Sequence, residues 1–252
     1  MAFLVVGSKP SWPTCSAIVD AARELGLEST ALEPAQLGRS ARVGDIVLGR
    51  LSVRASLAGV ERGLDDLSRA VARGILVLNP PAGVLAASDK LSTALRLARA
   101  GVPHPRTALV GGGTRPALEL PVVVKPRFAT GGAGLAVCGD EANLERRLEE
   151  LRGERWFRRH GAVMQQLVPV ERELRLLVVG GRVVGEAEPA AALLAVAAAT
   201  ATETDVVAVD LVSTGGTLVV LDLDPAPPIE TPEDARAVVR ALFDDARPAL
   251  IA

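Results

Sequence analysis

PVVVKPRFATGGAGLAVCGD, residues 121–140, joins an apolar run that ends in a lysine to a loop rich in glycine. Val122, Val123 and Val124 are β-branched and suit a buried strand, so Lys125 stands where the chain leaves the sheet. Pro126 then breaks the strand. Gly131, Gly132 and Gly134 can take backbone angles closed to other residues and present N–H groups with no side chain in the way. Such a loop can close over an anion. Short glycine motifs also recur without function, so a tight hairpin turn with a solvated lysine at its foot is the competing reading.

Working outward, 252 residues can bury a full core as one large domain or as two to three small subdomains. Aromatics make up only 2%, which leaves nothing for an aromatic box and little for base stacking. A net charge of -2 gives no electrostatic footprint for nucleic acid, and no basic run suggests an anionic membrane. Small-molecule or protein partners suit this surface better. Cys15 and Cys138 lie far apart without metal-ligand spacing and read as buried thiols of a reducing compartment. With only His104 and His160, a zinc site is not expected. The alanine-rich stretch 189–201 is too short to span a bilayer, and the N-terminus lacks the basic flank of a signal peptide. A cytoplasmic protein is expected.

The chain up to residue 80 alternates strands with helices. Strands are predicted over 2–7, 27–32, 45–48 and 75–78. Helices are predicted over 17–25 and over 56–73, where Leu57, Val60, Leu64, Leu67 and Val71 step by three and four. This alternation implies a mostly parallel sheet covered on both faces. Gly7-Ser8-Lys9-Pro10 lacks the dinucleotide-binding fingerprint. Ser88-Asp89-Lys90 opens a further helix, with Leu91, Ala94, Leu95 and Ala98 on one face, and Val102-Pro103-His104-Pro105 forms an extended linker. From Thr107 the chain is β-rich. A strand to Val110, a hairpin over 122–138 and a strand over 162–168 surround a helix capped by Asp140 and buried through Leu144, Leu148 and Leu151. Hairpins follow over 174–185 and 206–223, separated by a helix over 190–199 that should be buried nearly all round. Thr231 caps the last helix.

The second hairpin carries Asp210 on one strand and Asp222 and Asp224 on the other, two apart and therefore on one side. An Asp-Leu-Asp on a strand otherwise made of leucine and valine is costly unless a cation offsets the desolvation. Oxygen donors of this kind suit magnesium completed by substrate phosphates. Solvated carboxylates at a strand end are the competing reading.

Lys90 on a helix, Lys125 with its glycine loop, Gln165-Gln166-Leu167-Val168, and Asp210 with Asp222-Leu223-Asp224 follow the order found in ATP-grasp enzymes, and the chain resembles that superfamily. Asn79, Ser88-Asp89-Lys90, Gly101-Val102-Pro103, Thr107 and Val178-Val179-Gly180-Gly181-Arg182-Val183-Val184 make it similar to the RimK-like carboxylate–amine ligases over residues 75 to 230. The resemblance implies an α/β (α+β) ATP-grasp fold in four parts. These are an N-terminal parallel α/β subdomain over 1–80, a helical linker over 81–105, a glycine-loop β subdomain over 106–168 and a C-terminal β-sheet subdomain over 169–252.

By the same resemblance Lys90 and Lys125 contact nucleotide phosphates, and Thr130 to Gly134, with Gly131 and Gly132, form a mobile phosphate lid. Gln165, Gln166, Leu167 and Val168 read adenine, Glu173 holds ribose, and Arg175 approaches the reacting phosphate. Asp210, Asp222 and Asp224 hold Mg2+, with Mn2+ as an alternative. The implied reaction is ATP-dependent joining of a small-molecule or peptide carboxylate to an amine. Such chemistry needs alignment and charge neutralisation rather than a covalent nucleophile.

Two features depart from the family. Asp222-Leu223-Asp224 stands where relatives carry Glu-x-Asn, and the segment 186–205 contains no lysine, arginine, histidine or asparagine. A module that keeps the fold but not catalysis is therefore a second reading, and an unrelated doubly wound protein a third. The apolar surface of the 190–199 helix suggests a homodimer contact.

Overall fold

The first sheet grows from strands whose residues are apolar throughout, as burial on both faces requires. In chain order its elements are β1 (Phe3–Gly7), α1 (Pro13–Glu24), β2 (Ser29–Leu32), the short α2 (Leu37–Ser40), β3 (Ile46–Arg50), α3 (Leu64–Ala72) and β4 (Leu76–Leu78). The strands run parallel in the order β2-β1-β3-β4. Two helices follow, α4 (Pro81–Ser88) and α5 (Lys90–Arg99). The second sheet contains β5 (Thr107–Val110), β6 (Val122–Pro126) and β7 (Ala136–Cys138); after α6 (Glu141–Arg152) and α7 (Arg155–His160) comes β8 (Ala162–Gln166). Its order is β5-β8-β6-β7, all antiparallel. The third sheet holds β9 (Arg172–Val179), β10 (Arg182–Val184), then, beyond α8 (Pro189–Thr202), β11 (Val206–Thr214) and β12 (Thr217–Asp224), in the order β10-β9-β11-β12. The last element is α9 (Pro232–Ile251). This computed structural model describes residues 1–8, 13–111, 113 and 115–251, the side chains of 244–251 excepted; Lys9 and Pro10 fall outside it.

Four apolar clusters hold these layers. One face of the first sheet packs Phe3, Val5, Ile46 and Leu48 against Ile18 and Ala22 of α1 and against Val238 and Val239 of α9. The C-terminal helix thus completes the N-terminal core. The other face packs Leu4, Val6 and Val47 against Leu67 and Val84. Leu144, Leu151 and Trp156 cover the second sheet, and Ala191, Ala195 and Ala198 cover the third.

Three sequence readings are corrected. The helix expected over 56–73 begins only at Leu64, because Gly59 (φ 110°) and Gly63 (φ 129°) take angles no helix contains, and Val53 bridges Val60 instead. The periodic apolar residues there serve two cores, Leu57 the second sheet's and Val60 the first's. A side chain at Gly63 would also strike Pro34, 2.6 Å from the added Cβ. The buried face of α5 is Lys90, Thr93, Ala94 and Leu97, and Leu95 is exposed, since the helix turns a polar edge toward the neighbouring cleft. Helix α8 is buried on one side only and leaves Leu193 74% exposed. Its alanines gave no amphipathic signal to separate the two sides. Helix α7 lies outside the helical patterns of the sequence, and α4, at the start of the expected helical linker, opens with the proline usual in a first turn.

Candidate active site

Lys125 is the fourth residue of β6 and is only 7% exposed. Burial, and secondarily the neighbouring Lys90, pushes its ammonium down to about 8, against the pull of Asp222 and Asp210. Lys90 reaches the same place from a different element. It is the first residue of α5, whose N-cap Asp89 accepts a hydrogen bond from the Leu91 N–H, and its backbone N–H donates 3.0 Å to the Arg127 carbonyl. Its Nζ pairs with Asp222. Both lysines line a cavity of about 180 Å³ together with Ala129, Gly132, Asp210 and Asp222. Two cations and two carboxylates from three sequence regions therefore meet beneath the glycine loop.

That loop is a succession of turns. Ala133 N–H donates to the Thr130 carbonyl and Leu135 N–H to that of Gly132. Gly131 (φ 59°) and Gly132 (φ 73°) take left-handed angles, and an added Cβ at either meets nothing within 4 Å, so the tip of the loop stands clear, while Gly134 at its far end packs on Pro126. Thr130 at its base is exposed.

The aspartate hairpin is in register as the sequence implies, with Asp210 opposite Asp222 and a bulge immediately after Asp210. Its carboxylates are divided between cations. Arg175 on β9 stands opposite Asp210, donates to it at 2.8 and 3.0 Å, and donates to Asp224 at 2.9 Å. Burial raises the Asp210 carboxyl above its ordinary range, and Arg175 opposes the rise. Among the described residues no three acidic, histidine or cysteine side chains stand together as a metal-holding group. The donor chemistry fits a hard divalent ion at Asp210 and Asp222. Arg175 already holds both oxygens of Asp210 and one of Asp224, so an ion there has to compete with that guanidinium for either carboxylate.

Gln165 is buried, lies opposite Val123 and Thr107, and fixes its amide on Thr107 Oγ1 at 2.9 Å. It borders Lys90, Lys125 and Asp222 in a second, much tighter space. Gln166 is exposed; its N–H and that of Leu167 are taken by the Arg106 and Pro121 carbonyls, and Val168 follows half-buried. Glu173 is exposed on β9 opposite Val212 and does not line the lysine cavity. A larger cavity of about 690 Å³ lies between the β5 end and α6, but its Arg115 and Arg152 are surface residues paired with Glu141 and Glu149. It holds no buried cation among the described residues and lies away from the hairpin.

Two positioning devices escape a reading of the sequence. Arg127 makes a two-pronged contact with the buried Asp89 through Nε, at 2.9 Å, and Nη2, and reaches the His160 carbonyl through Nη1. With the Lys90–Arg127 backbone bond, this fastens the helix carrying Lys90 to the strand carrying Lys125. Asn79 is fully buried at φ 53° and ties the first sheet to the third: its amide donates to the Val206 and Pro225 carbonyls, and its Oδ1 accepts from the Asp205 and Val206 N–H groups. An Asn-Pro-Pro at a strand end marks a turn, and only the contacts reveal the hub.

No protein-family model matches the chain. Over 183 residues it is 30% identical to the tetrahydromethanopterin:alpha-L-glutamate ligase of Methanosarcina acetivorans, covering 64% of this chain and 55% of that protein. The chain thus spans about half the length of that curated relative. Among solved structures it is similar to a RimK domain ATP-grasp protein from Sphaerobacter thermophilus, with a TM-score of 0.73 and 21% identity over 97% of this chain and 99% of the other. It is also similar to the ATP-grasp ligase PsnB, complexed with minimal precursor, Mg and ADP, with a TM-score of 0.69 and 17% identity over 97% and 98%. Along nearly its entire length the chain therefore has the fold of these ATP-grasp structures, and over 183 residues its sequence is similar to that of a glutamate ligase.

Proposed function

We propose that the chain catalyses ATP- and magnesium-dependent joining of a carboxylate to an amine through an acyl phosphate. The observation that carries the reading is the meeting of Lys90 and Lys125 with Asp210 and Asp222 in one cavity beneath the glycine loop. Lys125 is held there with a weakened ammonium, a cost that phosphate oxygens would relieve. In this reading Lys90 and Lys125 bind the phosphates, and Thr130 to Gly134 close over them. Gln165 to Val168 border the base and Glu173 the ribose. Asp210 and Asp222 would hold magnesium, whose charge would offset that of the phosphates; manganese has the same oxygen chemistry. Arg175 would turn from Asp224 toward the reacting phosphate, which would leave Asp224 free to join Asp210 and Asp222 as an oxygen donor.

A carboxylate oxygen attacks the γ-phosphorus and ADP leaves. The amine nitrogen then attacks the activated carbonyl, phosphate departs and the nitrogen releases a proton. The relative named a glutamate ligase and the PsnB–precursor complex support a small-molecule or peptide substrate. Residues 1–80 help define it, with 81–105 linking to the nucleotide-binding parts over 106–168 and 169–252. No helix among the described residues is long and apolar enough to cross a membrane, which suits an ATP-dependent reaction in the cytoplasm. ADP release from MgATP should require both a carboxylate and an amine. Bound MgATP with no ADP released across a broad panel of acids and amines would overturn the proposal.

A second reading rests on the short connection after β10, where α8 starts at Pro189 and no cation occurs between 186 and 205. A nucleotide-binding module without catalysis would fit that gap. Loss of both ADP release and ATP affinity in Lys125→Ala removes it.

A further inference from the structure

Arg50 is the last residue of β3, at the carboxyl edge of the first sheet, paired in register with Gly7 at the end of β1. In the order β2-β1-β3-β4 these are the strands from which the chain turns outward in opposite directions, the place where open parallel sheets receive ligands. The residue is 6% exposed. Its Nη2 donates to the Pro227 carbonyl, and its Nη1 is buried with no hydrogen-bond partner among the described residues. No ion pair serves it among them either. Burial weighs against its charge most; the groups that act on it in return are the Cys15 thiol, in the first turn of α1 and close enough for a weak hydrogen bond, and the Asp224 carboxylate, which is already paired to Arg175. Cys15 is neutral, since burial raises its thiol. A buried guanidinium left without a counter-charge is costly, and retaining one is reasonable where a ligand brings the missing anion.

We propose that Arg50 anchors a non-reacting carboxylate of the substrate, so that the molecule activated or joined at Arg175 carries a second acidic group. This rests on the ligase reading. Arg175 bonds Asp224 and Arg50 bonds Pro227, so both guanidinium groups hang on one stretch of four residues, which spans at most about 10 Å. The free donor is a single amino nitrogen beside Asp224, which repels a phosphate near charge -2 more than a carboxylate at -1. Neither feature belongs to the lysine cavity, which Arg50 does not line.

Thermal unfolding of the full chain, as wild type, Arg50→Met and Arg50→Lys, tests this with acetate, succinate and glutarate as probes, inorganic phosphate and neutral succinamide as controls, and MgATP in separate samples. Without ligand, Arg50→Met should melt higher than wild type, because an apolar side chain replaces an uncompensated charge, while Arg50→Lys should not. The carboxylates should raise the wild-type midpoint by about 2–5 °C, phosphate less, succinamide not at all, and none should act on Arg50→Met. A lower midpoint for Arg50→Met would make Arg50 a structural residue and overturn the proposal. Carboxylates without effect on wild type, or equally effective on Arg50→Met, would also overturn it. MgATP should stabilise wild type and Arg50→Met alike. If it stabilises both while the carboxylates fail, only this inference falls; if it stabilises neither, the ligase reading falls with it.

Discussion

Replacing Lys125 with methionine separates what the residue does for the fold from what it does for a ligand. The fall of its ammonium from 10.5 to about 8 corresponds to about 3 kcal/mol disfavouring the charged form, at about 1.4 kcal/mol per pH unit. That figure is net of the attraction to Asp222 and Asp210, and with 7% exposure the side chain is scarcely screened by solvent. The unfolded chain keeps this proton up to about pH 10.5 and the folded chain only to about pH 8, so the wild type gains stability as pH rises between those values. Methionine has similar length, no charge and no such dependence. Lys125→Met should therefore be more stable than wild type at pH 7 by about 3 kcal/mol, or roughly 6–12 °C in midpoint for a chain of this size. The gain should shrink steadily toward pH 10.5. Scanning calorimetry at pH 7, 9 and 10.5 measures it, and the same samples with MgATP should show ligand stabilisation in wild type and none in the variant. A variant less stable than wild type at pH 7, or a gain that does not change with pH, would refute the account of Lys125 as a charge held in readiness for phosphate.

Three further outcomes follow from contacts outside the cavity. Asn79→Leu should lower unfolding stability by about 3–5 kcal/mol in denaturant titrations, because it strands the Asp205 and Val206 N–H groups and two carbonyls in a fully buried position. Asp89→Ala should cost about 3–5 kcal/mol by leaving Arg127 unpaired and uncapping α5, whereas Asp89→Asn should restore the cap and only part of the loss. Gly83→Ala should destabilise by about 1–3 kcal/mol despite alanine's better helix propensity, since the new Cβ would lie 2.3 Å from the Glu203 carbonyl oxygen. An unchanged midpoint in thermal melts would show that α4 can shift away from that turn.

The skeleton of the site is readable in the sequence because each part carries a local signature. The Val122–Val124 run fixes β6 and hence where Lys125 leaves it; Gly131 and Gly132 announce a turn that only glycine takes at no strain; and Asp222-Leu223-Asp224 is conspicuous on an apolar strand. The alternation of the first eighty residues implies a parallel sheet, and it is parallel. What stays hidden is what depends on distant partners. Leu57, Val60 and Leu64 have helical spacing, yet two glycines and two separate cores decide their shape. The buried edge of α5 carries a lysine and a threonine because its neighbour is a cleft, and periodicity counts apolar residues only. Arg127, Asn79 and Arg50 are single polar residues whose partners lie 38, 126 to 146, and 177 positions away, so no window along the chain contains the pair.

That distribution bears on how the site works. Among the described residues, every cation near the hairpin is balanced in a different way: Lys90 by Asp222, Arg175 by Asp210 and Asp224, Arg127 by Asp89, while Lys125 and Arg50 have no hydrogen-bonded anion. The paired cations tie together elements that are distant in the chain. Of the two unpaired ones, Lys125 lies beneath the glycine loop and Arg50 at the edge of the parallel sheet. A protein selected for stability alone would have neutralised both, since a buried charge without a partner opposes folding. Both proposals turn that cost to use: a nucleotide phosphate would compensate Lys125, and a substrate carboxylate would compensate Arg50.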